Sequence, residues 1–140
     1  MFKRSFLLGL LAGVLAGVAS LIYVRVYTSS LGADFSTVAS TTSIIVGSVL
    51  GGVLAGVGYW LLNKLLKNKG EIVFNFLLTI LSFASILAPL AARLPLDVEM
   101  PELFPGLTVP MHFFPALAWF TLKPLFIQQV TKNYDKPAGI

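Results

Sequence analysis

The chain of 140 residues suits a single domain, yet 56% of it is hydrophobic and 11% charged, against about 25% charged in an ordinary soluble domain. A water-soluble fold this small has too much surface for its volume to hide that much apolar side chain, so lipid must cover part of it. The formal charge of +4 sits in clusters beside apolar runs, as at the cytoplasmic flanks of membrane helices, which argues against a nucleic-acid partner. The absence of cysteine excludes disulfides, thiolate metal sites and cysteine redox relays.

A bilayer core about 30 Å thick takes about 20 helical residues to cross. Phe6–Tyr27 meets that length, with Ser20 and Arg25 as its main polar interruptions. Lys3 and Arg4 followed by an apolar run and Gly17, Val18, Ala19 also resemble a signal peptide, but the apolar stretch continues to Tyr27, which suits a span better. Gly9, Gly13 and Gly17 lie four apart, with Ala12, Ala16 and Ser20 on the adjoining ridge, so one side of this helix is nearly smooth.

The second span, Ile44–Leu62, carries no charge and is entered through Thr41, Thr42 and Ser43, which can cap free N–H groups. It repeats the smooth pattern with Ser48, Gly52 and Gly56 beside Gly47, Gly51 and Ala55. Small residues at this spacing let helix backbones approach closely, the main source of association energy in lipid, so Gly9, Gly13, Gly17, Gly47, Gly51, Gly52 and Gly56 are expected at packing seams. The hexapeptide Gly13–Val18 recurs unchanged as Gly52–Val57. Antiparallel spans would relate the copies by a two-fold axis, as in inverted-repeat transporters, although a four-letter Gly, Ala, Val, Leu alphabet reaches the same hexapeptide by convergence.

The third span, Ile72–Ala92, places Asn75, Thr79, Ser82 and Ser85 along one face, with Pro89 continuing it. This stripe is expected to hydrogen-bond to neighbouring helices, or else to line a path for a solute. The loop from Leu94 to Val109 is acidic and proline-rich, and its alternation through Leu96, Asp97, Val98, Glu99 and Met100 predicts an extended segment. The fourth span, Val109–Phe126, contains Pro110, Pro115 and Pro124 together with His112 and Lys123. Pro115 removes the bond to the Met111 carbonyl, so a bend is expected there.

Positive residues set the orientation. Lys3 and Arg4, then Lys64, Lys67 and Lys69, then Lys123, Lys132 and Lys136 all fall on one side of four crossings, which puts both termini in the cytoplasm. Arg25, Asp34, Asp97, Glu99, Glu102 and His112 gather on the outer side, where Arg25, between the interfacial Tyr23 and Tyr27, is expected to pair with an acidic loop residue. Their spacing is not specific enough for a metal site, and no cofactor is expected. A single histidine, no cysteine, and serines in packing or capping positions leave no nucleophile, base and orienter set, and no phosphate loop is present, so no enzyme activity is expected.

With a glycine-rich first helix, a third span ending Leu87, Ala88, Pro89, Leu90 and a fourth opening on Met111, His112, the chain resembles a loose group of small bacterial four-helix membrane proteins of uncharacterised function. The resemblance covers most of the length and implies a multi-pass protein of the cytoplasmic (inner) membrane, but it carries over no active-site residues. Taken together, the expectation is an all-α, up-down-up-down four-helix membrane bundle, N-in and C-in. Its partners would be the lipid bilayer and a second copy or another membrane protein. Its work would be helix association, or, as the alternative, passage of a small solute along the polar face of span three.

Overall fold

The computed structural model describes residues 1–127, so the expected cytoplasmic placement of Lys132 and Lys136 lies outside the described residues. The fold is all-α, and among the described residues there is no strand. Its helices are α1 (Phe2–Leu31), α2 (Thr41–Leu66), α3 (Gly70–Ser85), α4 (Leu87–Ala91) and α5 (Phe104–Phe126), with 3-10 turns at Lys67–Lys69 and Pro101–Leu103.

Three helical stretches are long and apolar enough to cross a membrane, where four were expected: Phe2–Leu31, Thr41–Ala91 and Pro101–Phe126. The difference lies in the middle stretch, whose 51 residues run from α2 into α4 with no loop to separate the expected second and third runs. It is not one straight rod. Tyr59 and Phe74 would stand roughly 22 Å apart along a straight helix, yet their ring centroids are 5.2 Å apart. The tight 3-10 turn reverses the chain while keeping its hydrogen bonds helical, with Lys67 at φ 49, ψ −117 taking the reversal and Gly70 allowing the close approach. A methyl group on Gly70 would lie 2.5 Å from Asn63 Cα and 2.6 Å from Leu62 O.

The remaining boundaries follow from local chemistry. Gly32, at φ 72, ends α1 in the left-handed conformation and returns its N–H to Thr28 O at 2.8 Å. Ser40, one residue ahead of the expected Thr41–Ser43 cluster, caps α2 by accepting the Ser43 N–H at 3.2 Å. Pro89 has no N–H to offer Ser85 O, and the helix divides there into α3 and α4. α5 runs unbroken through Pro110, Pro115 and Pro124 and starts five residues before the expected Val109, so the acidic loop is shorter than its sequence suggests. That loop does not hold the expected extended segment: Val98 N–H returns to Pro95 O at 3.2 Å in a turn through Leu96 and Asp97, aspartate being a common turn residue.

Two apolar clusters hold the helices together. One gathers Leu8, Ala12 and Ala16 of α1 with Tyr59, Phe74, Ala118 and Trp119; the other joins Ala33 and Phe35 to Phe104 and Leu107. Outside them, large apolar side chains face outward in quantity, among them Leu54 at 70%, Phe76 at 69% and Leu125 at 77% exposure. So large an apolar exterior marks a surface made for contact with lipid or protein.

Candidate functional site

The closest helix contact sets the frame of the site. α1 and α2 touch backbone to backbone, and a Cβ on Gly9 would strike Gly52 O while one on Gly52 would strike Gly9 O. Cβ atoms would lie 2.7 Å from Ser48 O at Gly13 and 2.5 Å from Ser5 O at Gly56. Gly17 leaves ordinary room, 3.5 Å to Ser48 Cβ. The pair is antiparallel and centred on Gly13 and Gly52, so the two copies of the repeated hexapeptide meet about one axis, with Gly9 against Gly56 as Gly17 is against Ser48. Gly47 and Gly51 stand apart from this seam. Nothing lies within 4 Å of where their Cβ atoms would be, because they occupy the ridge about 100° around the helix from Gly52.

That free ridge is one wall of a cleft of about 640 Å³. α2 and α3 are pinned at the Lys67–Lys69 turn and diverge from it. Ser43, Gly47, Gly51, Ala55 and Gly58 of α2 face Phe74, Leu78, Ser82 and Ser85 of α3, and Met111, His112, Pro115 and Trp119 of α5 close the back. Leu54, Leu77 and Leu81, all exposed, flank the mouth. From Ser43 to Leu62 the α2 wall runs roughly 28 Å, about one bilayer core.

The expected polar stripe of α3 is divided by this arrangement. Ser82 and Ser85 line the cleft, whereas Thr79 is exposed and Asn75 lies off the lining. Phe74 and Leu78 hold the inward face, and Thr79, one residue beyond Leu78, is carried about 100° away from it. The hydroxyls turn back on their own helix: Thr79 Oγ1 donates to Asn75 O at 2.9 Å, Ser82 Oγ to Leu78 O at 2.8 Å and Ser85 Oγ to Ser82 O at 2.8 Å. Among the described residues, the one hydrogen bond from this stripe to another helix is Ser85 Oγ to His112 Nδ1, 3.1 Å. Ser85 Oγ has one proton for Ser82 O and His112 Nδ1; when it goes to Ser82 O, the imidazole donates from Nδ1 and Nε2 is an acceptor. Asn75 Oδ1 and Trp119 Nε1 are buried without a hydrogen-bond partner among the described residues.

Beyond the closed end of the cleft lies a charged node that sequence reasoning missed. Lys123 Nζ donates to Glu71 Oε1 at 2.5 Å, Tyr59 Oη donates to Glu71 Oε2 at 3.3 Å, and the Lys123 ammonium stands 5.5 Å from the centre of the Tyr59 ring. Glu71 follows directly after a lysine-rich turn and Lys123 was read for topology alone. The reversal at Lys67–Lys69 brings Tyr59 to Glu71 across 12 positions, and the packing of α5 on α3 brings Lys123 to Glu71 across 52.

The outer-face candidates do not converge. Arg25, Asp34, Asp97, Glu99 and Glu102 are exposed, and Arg25 does not make the expected ion pair; among the described residues the one ion pair is Lys123 with Glu71. The reason is rotational, since Tyr23 and Tyr27 take the α5-facing side of α1 and turn Arg25 outward. Tyr23 Oη donates to Gly106 O at 2.8 Å, the carbonyl that Pro110 cannot serve, and Tyr27 Oη donates to Leu103 O at 2.6 Å. The Ser36 N–H, 2.9 Å from Asp34 Oδ1, holds that carboxyl below the usual aspartate range. His112 belongs to the cleft, away from the acidic loop, and among the described residues no three His, Asp or Glu side chains are placed to hold a metal ion. Comparison with known protein families, with curated proteins and with solved structures returns no match.

Proposed function

We propose that this chain is a non-enzymatic protein of the bacterial cytoplasmic membrane that crosses the bilayer four times, as an up-down-up-down bundle with both ends in the cytoplasm. Its work in this reading is to hold a small membrane-soluble molecule between α2 and α3. The observation that carries the reading is the cleft: about 640 Å³ falls in the range of small-molecule sites, and its mouth is rimmed by leucines that suit lateral entry from lipid. Four crossings are supported by the folding back of the middle stretch at Lys67–Lys69, and the orientation by Lys3, Arg4, Lys64, Lys67 and Lys69. Native mass spectrometry of the protein extracted with its surrounding lipid tests it. A bound species should accompany the unaltered chain and be lost from Gly51→Leu, and an unliganded chain in both preparations counts against the reading.

One observation favours a second reading, association as a homo-oligomer or as an accessory subunit. Gly47 and Gly51 form a smooth ridge with nothing against it, as a seam awaiting another helix would. Cross-linking in native membranes distinguishes the two, since Gly47→Leu and Gly51→Leu should abolish a cross-linked species in which these glycines face a neighbouring helix. Were the molecule held in the cleft also passed across, liposome flux should fall in Ser82→Leu and Ser85→Leu, whereas Thr79→Val, on the exposed face, should leave it unchanged.

A further inference from the structure

The reading above leaves the chemistry of the occupant open, and the walls of the cleft narrow it. Polar groups are confined to one part of the lining: Ser43 and Ser48 on α2, Ser82 and Ser85 on α3, His112 on α5, with Ser20 of α1 behind them. Toward the turn the lining is hydrocarbon and aromatic, ending at Leu62, Phe74 and Trp119. Among the described residues no charged side chain lines it. An occupant must therefore be polar at its outer end and apolar for the rest of its length.

Two kinds of occupant meet this pattern. A partner helix, about 10 Å across, would present side chains along its whole length to a wall that is polar at one end alone. A hydrocarbon chain is slim enough to lie along the glycine ridge, where Gly47, Gly51 and Gly58 keep the wall free of side chains. The outer end adds a chemical preference. With Nδ1 of His112 taken up by Ser85, Nε2 is the ring nitrogen left for an occupant, and in the tautomer protonated at Nδ1 it accepts from a head that carries a hydroxyl or ammonium donor.

We infer that the cleft binds one lipid of the outer leaflet, an acyl chain lying between α2 and α3 down to Trp119 and a donor-bearing headgroup at His112. This inference rests on the reading that the cleft holds a small molecule. Lipid enters sideways past Leu54, Leu77 and Leu81, so no opening to water is needed.

Trp119 is fully buried and borders the cleft, and Trp60, the other tryptophan, packs against Phe2 beside Tyr59, whose ring centre lies 5.5 Å from that of Trp119, so its emission has to be removed. In a Trp60→Phe background, therefore, the fluorescence of Trp119 reports occupancy. The protein is reconstituted into nanodiscs containing phosphatidylethanolamine brominated at mid-chain. Bromine should quench Trp119 strongly, the quenching should be largely lost in Gly51→Leu and in Gly47→Leu, and brominated phosphatidylcholine, whose head lacks a donor, should quench less. His112→Leu should erase that difference between the two lipids. Both glycine positions have open space around them, so these variants are expected to fold.

Four outcomes overturn the inference. Trp119 that is equally quenched in the glycine variants is reached by lipid elsewhere than in the cleft, and equal quenching by both headgroups removes the role of His112. Unquenched Trp119 together with a bound non-lipid mass in native spectra defeats the lipid assignment while leaving the small-molecule reading intact. Unquenched Trp119 with no bound mass defeats both.

Discussion

Lys67 pays a conformational penalty for turning the chain between α2 and α3. Its φ of 49 lies where a side chain is strained by about 1–3 kcal/mol, and the lysine is exposed. Lys67→Gly should therefore stabilise the protein by about 1 kcal/mol, seen as a higher unfolding temperature in detergent, and unchanged or lower stability would refute it. Glu71 and Lys123 are a second residue-scale case. Lys123 keeps 12% of its side-chain surface and Glu71 38%, so the pair is partly screened, and removing either partner should cost about 2 kcal/mol. The charged partner left behind is responsible for much of that cost, so Glu71→Leu combined with Lys123→Met should lose clearly less than the two single variants summed, as a double-mutant cycle would show. At Asp34 the lowered titration means that the ionised carboxyl favours the folded loop above the ordinary aspartate value near 3.9, and the benefit fades as pH falls through the lowered value. Asp34→Asn should flatten that acid dependence, measured as the loss of a titrating shift at the Ser36 amide by NMR.

At the scale of helices, neighbouring glycines of α2 carry opposite predictions. Gly52→Val forces α1 and α2 apart, because its Cβ meets backbone that has no side chain to move aside, and should cost about 1–3 kcal/mol or more. Gly51→Val, one position on, enters open space and should be nearly neutral in thermal unfolding. The four-residue spacing of Gly9, Gly13, Gly52 and Gly56 was legible in the chain because close packing in lipid leaves few alternatives to small side chains. Which glycine ridge packs and which stays open was not legible: Gly47, Gly51, Gly52 and Gly56 share the same spacing, and only the crossing of α1 over α2 separates them. The cleft was hidden for the same reason, since the divergence of two helices from a turn leaves no periodic mark in either one. Prolines were legible as interruptions but their consequences were not. Pro110 and Pro89 each free a carbonyl one turn back, and whether Tyr23 serves Gly106 or the helix parts at Ser85 depends on what the neighbouring helix brings there.

Across the whole molecule, the contacts sort the charged residues into two ends. Phe2 packs on Trp60, whose ring lies 5.2 Å from Lys64 Nζ, and Lys123 reaches Glu71 beside the Lys67–Lys69 turn, so Lys3 and Arg4 of α1, Lys64 of α2 and Lys123 of α5 share one end, with Arg25 toward the other. Tyr27 and Phe35 meet Leu103 and Phe104 at the other, from which the acidic loop carrying Asp97, Glu99 and Glu102 extends. A bilayer turns this asymmetry into orientation, because lysine and arginine are retained on the cytoplasmic face while carboxylates contribute little. The absence of native cysteine makes the expectation directly measurable. Single variants Asn68→Cys in the turn, Ser36→Cys in the α1–α2 loop and Asp97→Cys in the acidic loop place one thiol each on exposed positions. In intact cells a membrane-impermeant maleimide should label residues 36 and 97 and spare residue 68, and permeabilised cells should yield all three. Labelling of 68 together with 36 would mean that the middle stretch does not cross and return, and labelling of 68 alone would mean that the bundle is inverted; in either case the headgroup end of the cleft would no longer face the outer leaflet.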